Sequence, residues 1–218
     1  MSVKELIHRY LVFVLGLIIM SMGVAVITYS YLGTSPISST PYVFSLNTRW
    51  SMGTYLFFLG IFLVIVQVCI MGWAKSRERY KELLLQIPST MLFGIFTDIS
   101  MWMLTGFAPE DYYMKILTLV AGSFILALGV AIQVEANVTM MGGEYTVRVI
   151  AEQMNKRFGD IKMFFDSALV ILAVSISLVF SSNIQGVREG TIIAAVITGP
   201  FVRVISPRLG FLTNRYKK

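Results

Sequence analysis

Gly16 to Val26 reads GLIIMSMGVAV, and 106 positions later Gly122 to Ile132 reads GSFILALGVAI. The register runs without a gap into the next apolar stretch, where Gly53 falls on Gly159, Phe58 on Phe164, Val64 on Val170 and Val68 on Val174. With five residues deleted, Ser89 to Thr97 (STMLFGIFT) then lies over Gly190 to Thr198 (GTIIAAVIT). Apolar segments match one another by chance, so the glycines and the ungapped length carry the argument. The chain reads as one integral membrane domain made of two repeats, residues 1–104 and 105–218. Each copy has a small-residue face: Gly16 and Gly23, like Gly122 and Gly129, are seven apart, and Ser21/Ala25 and Ala127/Ala131 are small-xxx-small pairs. Such faces let helix backbones approach closely in a bilayer.

The composition around the repeat is far from that of a soluble domain. Of 218 residues 56% are hydrophobic and 14% charged, with mean hydropathy +0.74. A bilayer core needs roughly 17–25 apolar residues per helix. Six runs qualify, near 10–31, 53–73, 88–104, 114–135, 161–181 and 189–206. Lys4 and Arg9 precede the first run as they would in a signal peptide, but the run is too long and no small-x-small cleavage site follows. It reads as a retained helix. Lys and Arg set the orientation. Fifteen fall on one side: Lys4 and Arg9; Lys75, Arg77, Arg79 and Lys81; Arg148, Lys156, Arg157 and Lys162; Arg203, Arg208, Arg215, Lys217 and Lys218. Only Arg49, Lys115 and Arg188 fall on the other, so both termini are expected in the cytoplasm. These bases flank apolar runs rather than forming a stripe on a soluble fold, which argues against nucleic acid as a partner.

Three spans per copy is an odd number, so the second copy must enter from the opposite side. The expected fold class is therefore an all-α membrane protein, six transmembrane helices as two inverted three-helix repeats. Helices 1 and 4 are each followed by a break. Leu32-Gly33-Thr34-Ser35-Pro36-Ile37-Ser38-Ser39-Thr40-Pro41-Tyr42 matches neither a long polar loop nor a helix. Gly33 permits a helix-ending left-handed turn, and Ser35-Pro36 and Thr40-Pro41 each read as an N-cap followed by proline at the first helical position. A short helix is expected to start here. In the second copy Gly142 and Gly143 break the chain, and a helix from about Glu144 to Phe158 sets Val147, Ile150, Met154 and Phe158 opposite Arg148, Glu152 and Lys156. That pattern is interfacial. Broken helices at equivalent places in two halves point to a transport site, because irregular backbone at depth must be buried in protein or line a cavity.

The candidate substrate-binding residues are thus Thr34, Ser35, Ser38 and Ser39, hydroxyl groups beside a helix start that can meet a polar or anionic group, with Gly142, Gly143 and Glu144. As plain structure the same residues are caps, with Arg148 as an i,i+4 partner for Glu144. Asp98, Glu135 and, as a lesser candidate, Asp166 are intramembrane charges, which cost about 2.5–3.5 kcal/mol at a helix centre on insertion scales. Desolvation favours the protonated acid, chemistry that suits proton coupling. The competing account is structural, with Arg148 or Arg203 satisfying Glu135 and backbone or hydroxyls satisfying Asp98.

The run Leu32 to Pro36 (LGTSP) continuing through Tyr42, with Glu189-Gly190-Thr191 opening the last span and Gly199-Pro200 inside it, resembles the YczE/YyaS/YitT family of bacterial integral membrane proteins. The resemblance covers nearly the whole chain and rests mainly on the LGTSPISS-like segment. It implies a multi-pass protein of the bacterial cytoplasmic (inner) membrane whose relatives are suspected transporters, and no site residue is carried over from it. The second half departs from the GTSP-like turn to MMGGE.

One Cys (Cys69) and one His (His8) exclude an intramolecular disulfide and a cage of those ligands within one chain. No nucleophile elbow, HExxH, Walker loop or CxxC is present, so neither an enzyme nor a cofactor is expected. The leading expectation is a small secondary transporter or exporter of a small-molecule solute, with its site at the repeat interface. The alternative is a non-transporting partner or assembly subunit. The expected partners are the lipid bilayer and that solute, and a homodimer is left open.

Overall fold

The computed structural model describes residues 3–209, and the regular elements among them are helices. They are α1 (Val3–Thr28), α2 (Pro36–Asn47), α3 (Met52–Glu78), α4 (Tyr80–Met103), α5 (Tyr112–Ala136), α6 (Gly142–Met154), α7 (Phe158–Ser181) and α8 (Glu189–Ile205), the last running into a 3-10 turn at Ser206–Arg208. Six of them, α1, α3, α4, α5, α7 and α8 with its turn, are long and apolar enough to cross a membrane. They fall on the six runs expected from the sequence and mark the chain as a multi-pass membrane protein. Arg215, Lys217 and Lys218, counted above for orientation, lie outside the described residues.

Local chemistry sets the helix ends. Ser51 caps α3 by accepting from the Thr54 amide at 3.2 Å. Asn137, Asn155 and Ser182 take left-handed conformations just past α5, α6 and α7. Asn155 corrects the expected boundary of α6. The helix stops at Met154, and Phe158 opens α7 instead of closing α6. Pro41 is a second correction: it sits inside α2, and only Ser35-Pro36 starts a helix. The Thr40 hydroxyl, expected as a cap, donates to the Leu169 carbonyl at 3.2 Å. Gly72, with φ 75 and ψ 160, bends α3 just after its apolar stretch.

The fold divides into two compact units, each drawing on both sequence halves. The first takes the chain up to Ser35, Phe96–Val138 and the chain from Arg188. Its centre is the pair α1 and α5, and α8 packs on α5. A Cβ on Gly16 would lie 2.8 Å from the Gln133 side chain, one on Gly129 would meet the Met20 backbone, one on Gly23 the Leu126 backbone, and one on Gly122 would lie 2.7 Å from the Ile27 amide. Partner numbers fall along α5 as they rise along α1, so the helices are antiparallel, and only glycine allows this approach. Arg9, paired with Glu5, donates to the Ala136 carbonyl at 3.3 Å. A cation is thereby placed at the C-terminus of α5, where the helix dipole favours it.

The second unit comprises Pro36–Ile95 and Thr139–Val187. Within it α2 packs on α7 and α3, and α6 packs on α3 and α7. Glycines bring α3 and α4 together: Gly60 sits against Thr90, and a Cβ on Gly94 would be 2.5 Å from the Gly53 carbonyl oxygen.

Candidate functional site

The turn that opens the first break, up to Ser35, lies in the first unit. α1 ends at Thr28, Tyr31 turns left-handed at φ 59, and Gly33 follows at φ 117. Glycine is required at 33 by that angle and because a Cβ would run into the Thr191 hydroxyl. The Thr28 and Thr34 hydroxyls are 2.8 Å apart, the Thr34 amide donates to Thr191 Oγ1 at 3.2 Å, and the Gly190 amide donates to the Leu32 carbonyl at 2.8 Å. The Gly190-Thr191 start of α8 is thus clasped to Leu32–Thr34, which satisfies an otherwise orphaned amide of a helix N-terminus. Thr34, Ser35, Ser38 and Ser39 are all buried. Thr34 is held in the clasp, Ser39 donates to the Pro36 carbonyl at 2.6 Å, and neither Ser35 nor Ser38 is without a partner. In this conformation the hydroxyls serve the protein's own backbone and side chains.

The second break opens α6 in the second unit. The Gly142 carbonyl accepts from the Thr146 hydroxyl at 2.6 Å and from Gln67 Nε2 at 3.0 Å. Gln67 Nε2 also lies 2.9 Å from Thr146 Oγ1 and 3.0 Å from Gln86 Oε1, and Gln86 Nε2 donates back to Gln67 Oε1 at 3.0 Å. All three side chains are fully buried. Two amides and a hydroxyl, carried by α3, α4 and α6, therefore fix the start of α6. The sequence reading attended to charges and missed Gln67 and Gln86; its signal was an amide inside each apolar run, VIVQVCIM and LLLQIP. Gly143 lies directly against the Ile37 side chain, so the first turns of α2 and α6 meet.

On the outer side of α6 the Tyr145 phenol, buried in a cluster with Met71, Leu83 and Val149, donates to Glu82 at 2.7 Å. Burial first, and then the Glu82 carboxylate, push the phenol up to about 12. Glu152 takes Arg79 at 2.8 Å and Arg148 at 2.9 Å. Partial burial alone would raise the Glu152 carboxyl, but the two guanidinium groups outweigh it and hold the carboxyl below its ordinary value. Arg148 thus pairs forward along α6 with Glu152 rather than back with Glu144.

The remaining carboxylates divide. Asp166 is paired with Lys162 Nζ at 2.7 Å, one turn away on α7. Asp98 on α4 and Glu135 on α5 are half-buried, and neither is without a partner. Glu144, in the first turn of α6, has a buried oxygen, Oε2, with no hydrogen-bond partner. Among the described residues no three His, Cys, Asp or Glu side chains gather as a metal site.

No curated protein and no solved structure matches this sequence. The model of a family of unknown function, DUF6198, matches residues 7–207, both breaks and the start of α8 included, and the chain belongs to that family.

Proposed function

We propose that the chain is a small secondary transporter or exporter of a small solute, built as two inverted three-helix repeats with the two breaks contributing to its site. The observation that carries this reading is an exchange of contacts. Gly23 meets Leu126 and Gly129 meets Met20; Gly16 meets Gln133 and Gly122 meets Ile27. Shifting either contact of a pair by 106 turns it into the other, and Ile37 and Gly143, themselves 106 apart, touch each other. Within each unit that is the pattern expected of a two-fold relation, between α1 and α5 in the first and between the starts of α2 and α6 in the second. Inverted repeats of this kind recur in transporters whose sites lie near the midplane. The resemblance of Leu32–Tyr42 to the YczE/YyaS/YitT family agrees with the reading.

The basic asymmetry supports cytoplasmic placement of both termini, and the family resemblance supports the bacterial inner membrane. The Arg79–Glu152 pair agrees: it joins the α3–α4 corner to α6, two segments that the charge count puts on one side. A C-terminal reporter active only in the periplasm should stay dark, and a bright signal would reverse the orientation. Transport is tested by a thermal-shift screen of metabolites and of drug-like cations and anions on the detergent-solubilised protein, followed by flux of any stabilising solute into proteoliposomes. The hydroxyls of Thr34 and Ser39, bound within the protein, favour a second reading, a non-transporting assembly subunit. Stable co-purification with a larger membrane protein, without solute-dependent stabilisation, would establish that reading instead.

A further inference from the structure

We infer that Glu144 is the counter-charge for a cationic group of the bound solute or a small monovalent cation, which deepens the transport reading and rests on it. The buried Oε2 of Glu144 makes no hydrogen bond, whereas the buried Gln67, Gln86 and Thr146 side chains of α3, α4 and α6 are bonded to one another. Glu144 is the third residue of α6, a position from which a carboxylate commonly turns back to the N-cap amide. Its Oε2 makes no such bond, and α6 has no side-chain cap. Arg79 and Arg148 are paired with Glu152, and Lys162 with Asp166. Arg148, one turn along and the natural partner, is held by Glu152. A buried carboxylate oxygen lacking both donor and cation is costly in a low-dielectric setting. A positive group meeting Oε2 would supply what the carboxylate lacks, and the amides of Gln67 and Gln86 hold the helix start in place while it does.

The test uses the full chain purified in detergent. Thermal unfolding of wild type, E144Q and E144D is followed against sodium, ethylammonium and guanidinium chloride, with ionic strength matched by N-methylglucamine chloride. At least one of the three small cations should stabilise wild type saturably, and its Kd should rise at least about tenfold in E144Q, the loss of one charge-assisted contact. A response to sodium alone identifies an inorganic cation; a response to ethylammonium or guanidinium identifies an organic head group. E144D keeps the charge but withdraws it by one methylene, so it should retain saturable binding with weaker affinity. If E144Q fails to fold, an unchanged Kd in E144D overturns the inference, as does the absence of saturable stabilisation in wild type or identical curves for wild type and E144Q. Cation binding lost in E144Q, together with no flux of any solute by wild type, removes the transport reading and leaves the site. Solute flux that E144Q does not alter removes the site and leaves the transport reading.

Discussion

The start of α6 and the start of α2 occupy corresponding places in the sequence of the two halves, yet the residues at matching positions of the helices packed on them differ in chemistry. At α6 the contacts are two amides, a hydroxyl and a carbonyl. At α2, Ala173 stands 106 positions beyond Gln67, and Val187 falls where the register with five residues deleted puts Gln86. These two form an apolar cluster with Val43, while the Ser39 and Thr40 hydroxyls nearby are bound to the Pro36 and Leu169 carbonyls. A network of directional bonds has one good geometry and loses much when it opens, because groups left unbonded in a dry interior are expensive. Apolar contact has no such directional demand. The comparison assigns α6 as the fixed element and α2 as the one freer to shift.

The largest effect should come from breaking the polar side. Gln67→Leu leaves the Gln86 amide unbonded and is expected to destabilise by about 2 kcal/mol in equilibrium unfolding in mixed micelles. Gln67→Leu with Gln86→Leu should recover at least half of that, since Thr146 still satisfies the Gly142 carbonyl. Ala173→Gln on the apolar side should cost as much as Gln67→Leu. A neutral Ala173→Gln would mean that the two sides are not chemically distinct. Next in size are Gly23→Ala and Gly129→Ala, each about 1–3 kcal/mol from overpacking against backbone. These two sites exchange under the shift, so their costs should agree to within about 0.5 kcal/mol, the scatter usual for independent sites. A large inequality would limit the two-fold relation to sequence alone.

Smaller still is Gly143→Ala, expected at about 1 kcal/mol, because its Cβ meets only the flexible end of Ile37. Ile37→Val in the same chain should recover part of that loss, and strict additivity in the double-mutant cycle would show that α2 and α6 do not touch there. The smallest effect concerns Glu152. Its folded-state carboxyl lies below the ordinary 4.5, so its contribution is fully present above that value and is lost as pH falls through the lowered one. Both partners are well exposed, so the loss should stay under about 1 kcal/mol and shrink with added salt. Glu152→Gln should remove this acid-side dependence, leaving that of other carboxylates unchanged.

The spans were legible because hydropathy and length alone decide them, and both breaks were legible because Gly33, Pro36, Gly142 and Gly143 interrupt long apolar runs. Pro41 was misread: locally Thr40-Pro41 looks like Ser35-Pro36, and only the tertiary fit of Thr40 to the Leu169 carbonyl tells them apart. The end of α6 was overrun because the apolar spacing continues through Phe158 while the left-handed turn at Asn155 leaves little trace in periodicity. The glutamines escaped because uncharged amides lower hydropathy only slightly, and their meaning appears when α3, α4 and α6 come together. Glu144 was named from its position, but its missing partner could not be foreseen, since Arg148 has two glutamates within one turn and the sequence does not say which it takes.

The clasp between Leu32–Thr34 and Gly190-Thr191 gives the chain a clock. Thr34 and Thr191 are 157 residues apart, so at the usual pace of synthesis, about 5–20 residues per second, roughly 10–30 s separate their emergence. During that interval the turn after α1 lacks the amide and hydroxyl that complete it, although α1 has already been made. Insertion of the last span is therefore also the step that closes the first break, and a chain truncated before Gly190 should leave that turn open to proteolysis even when its earlier spans are in place.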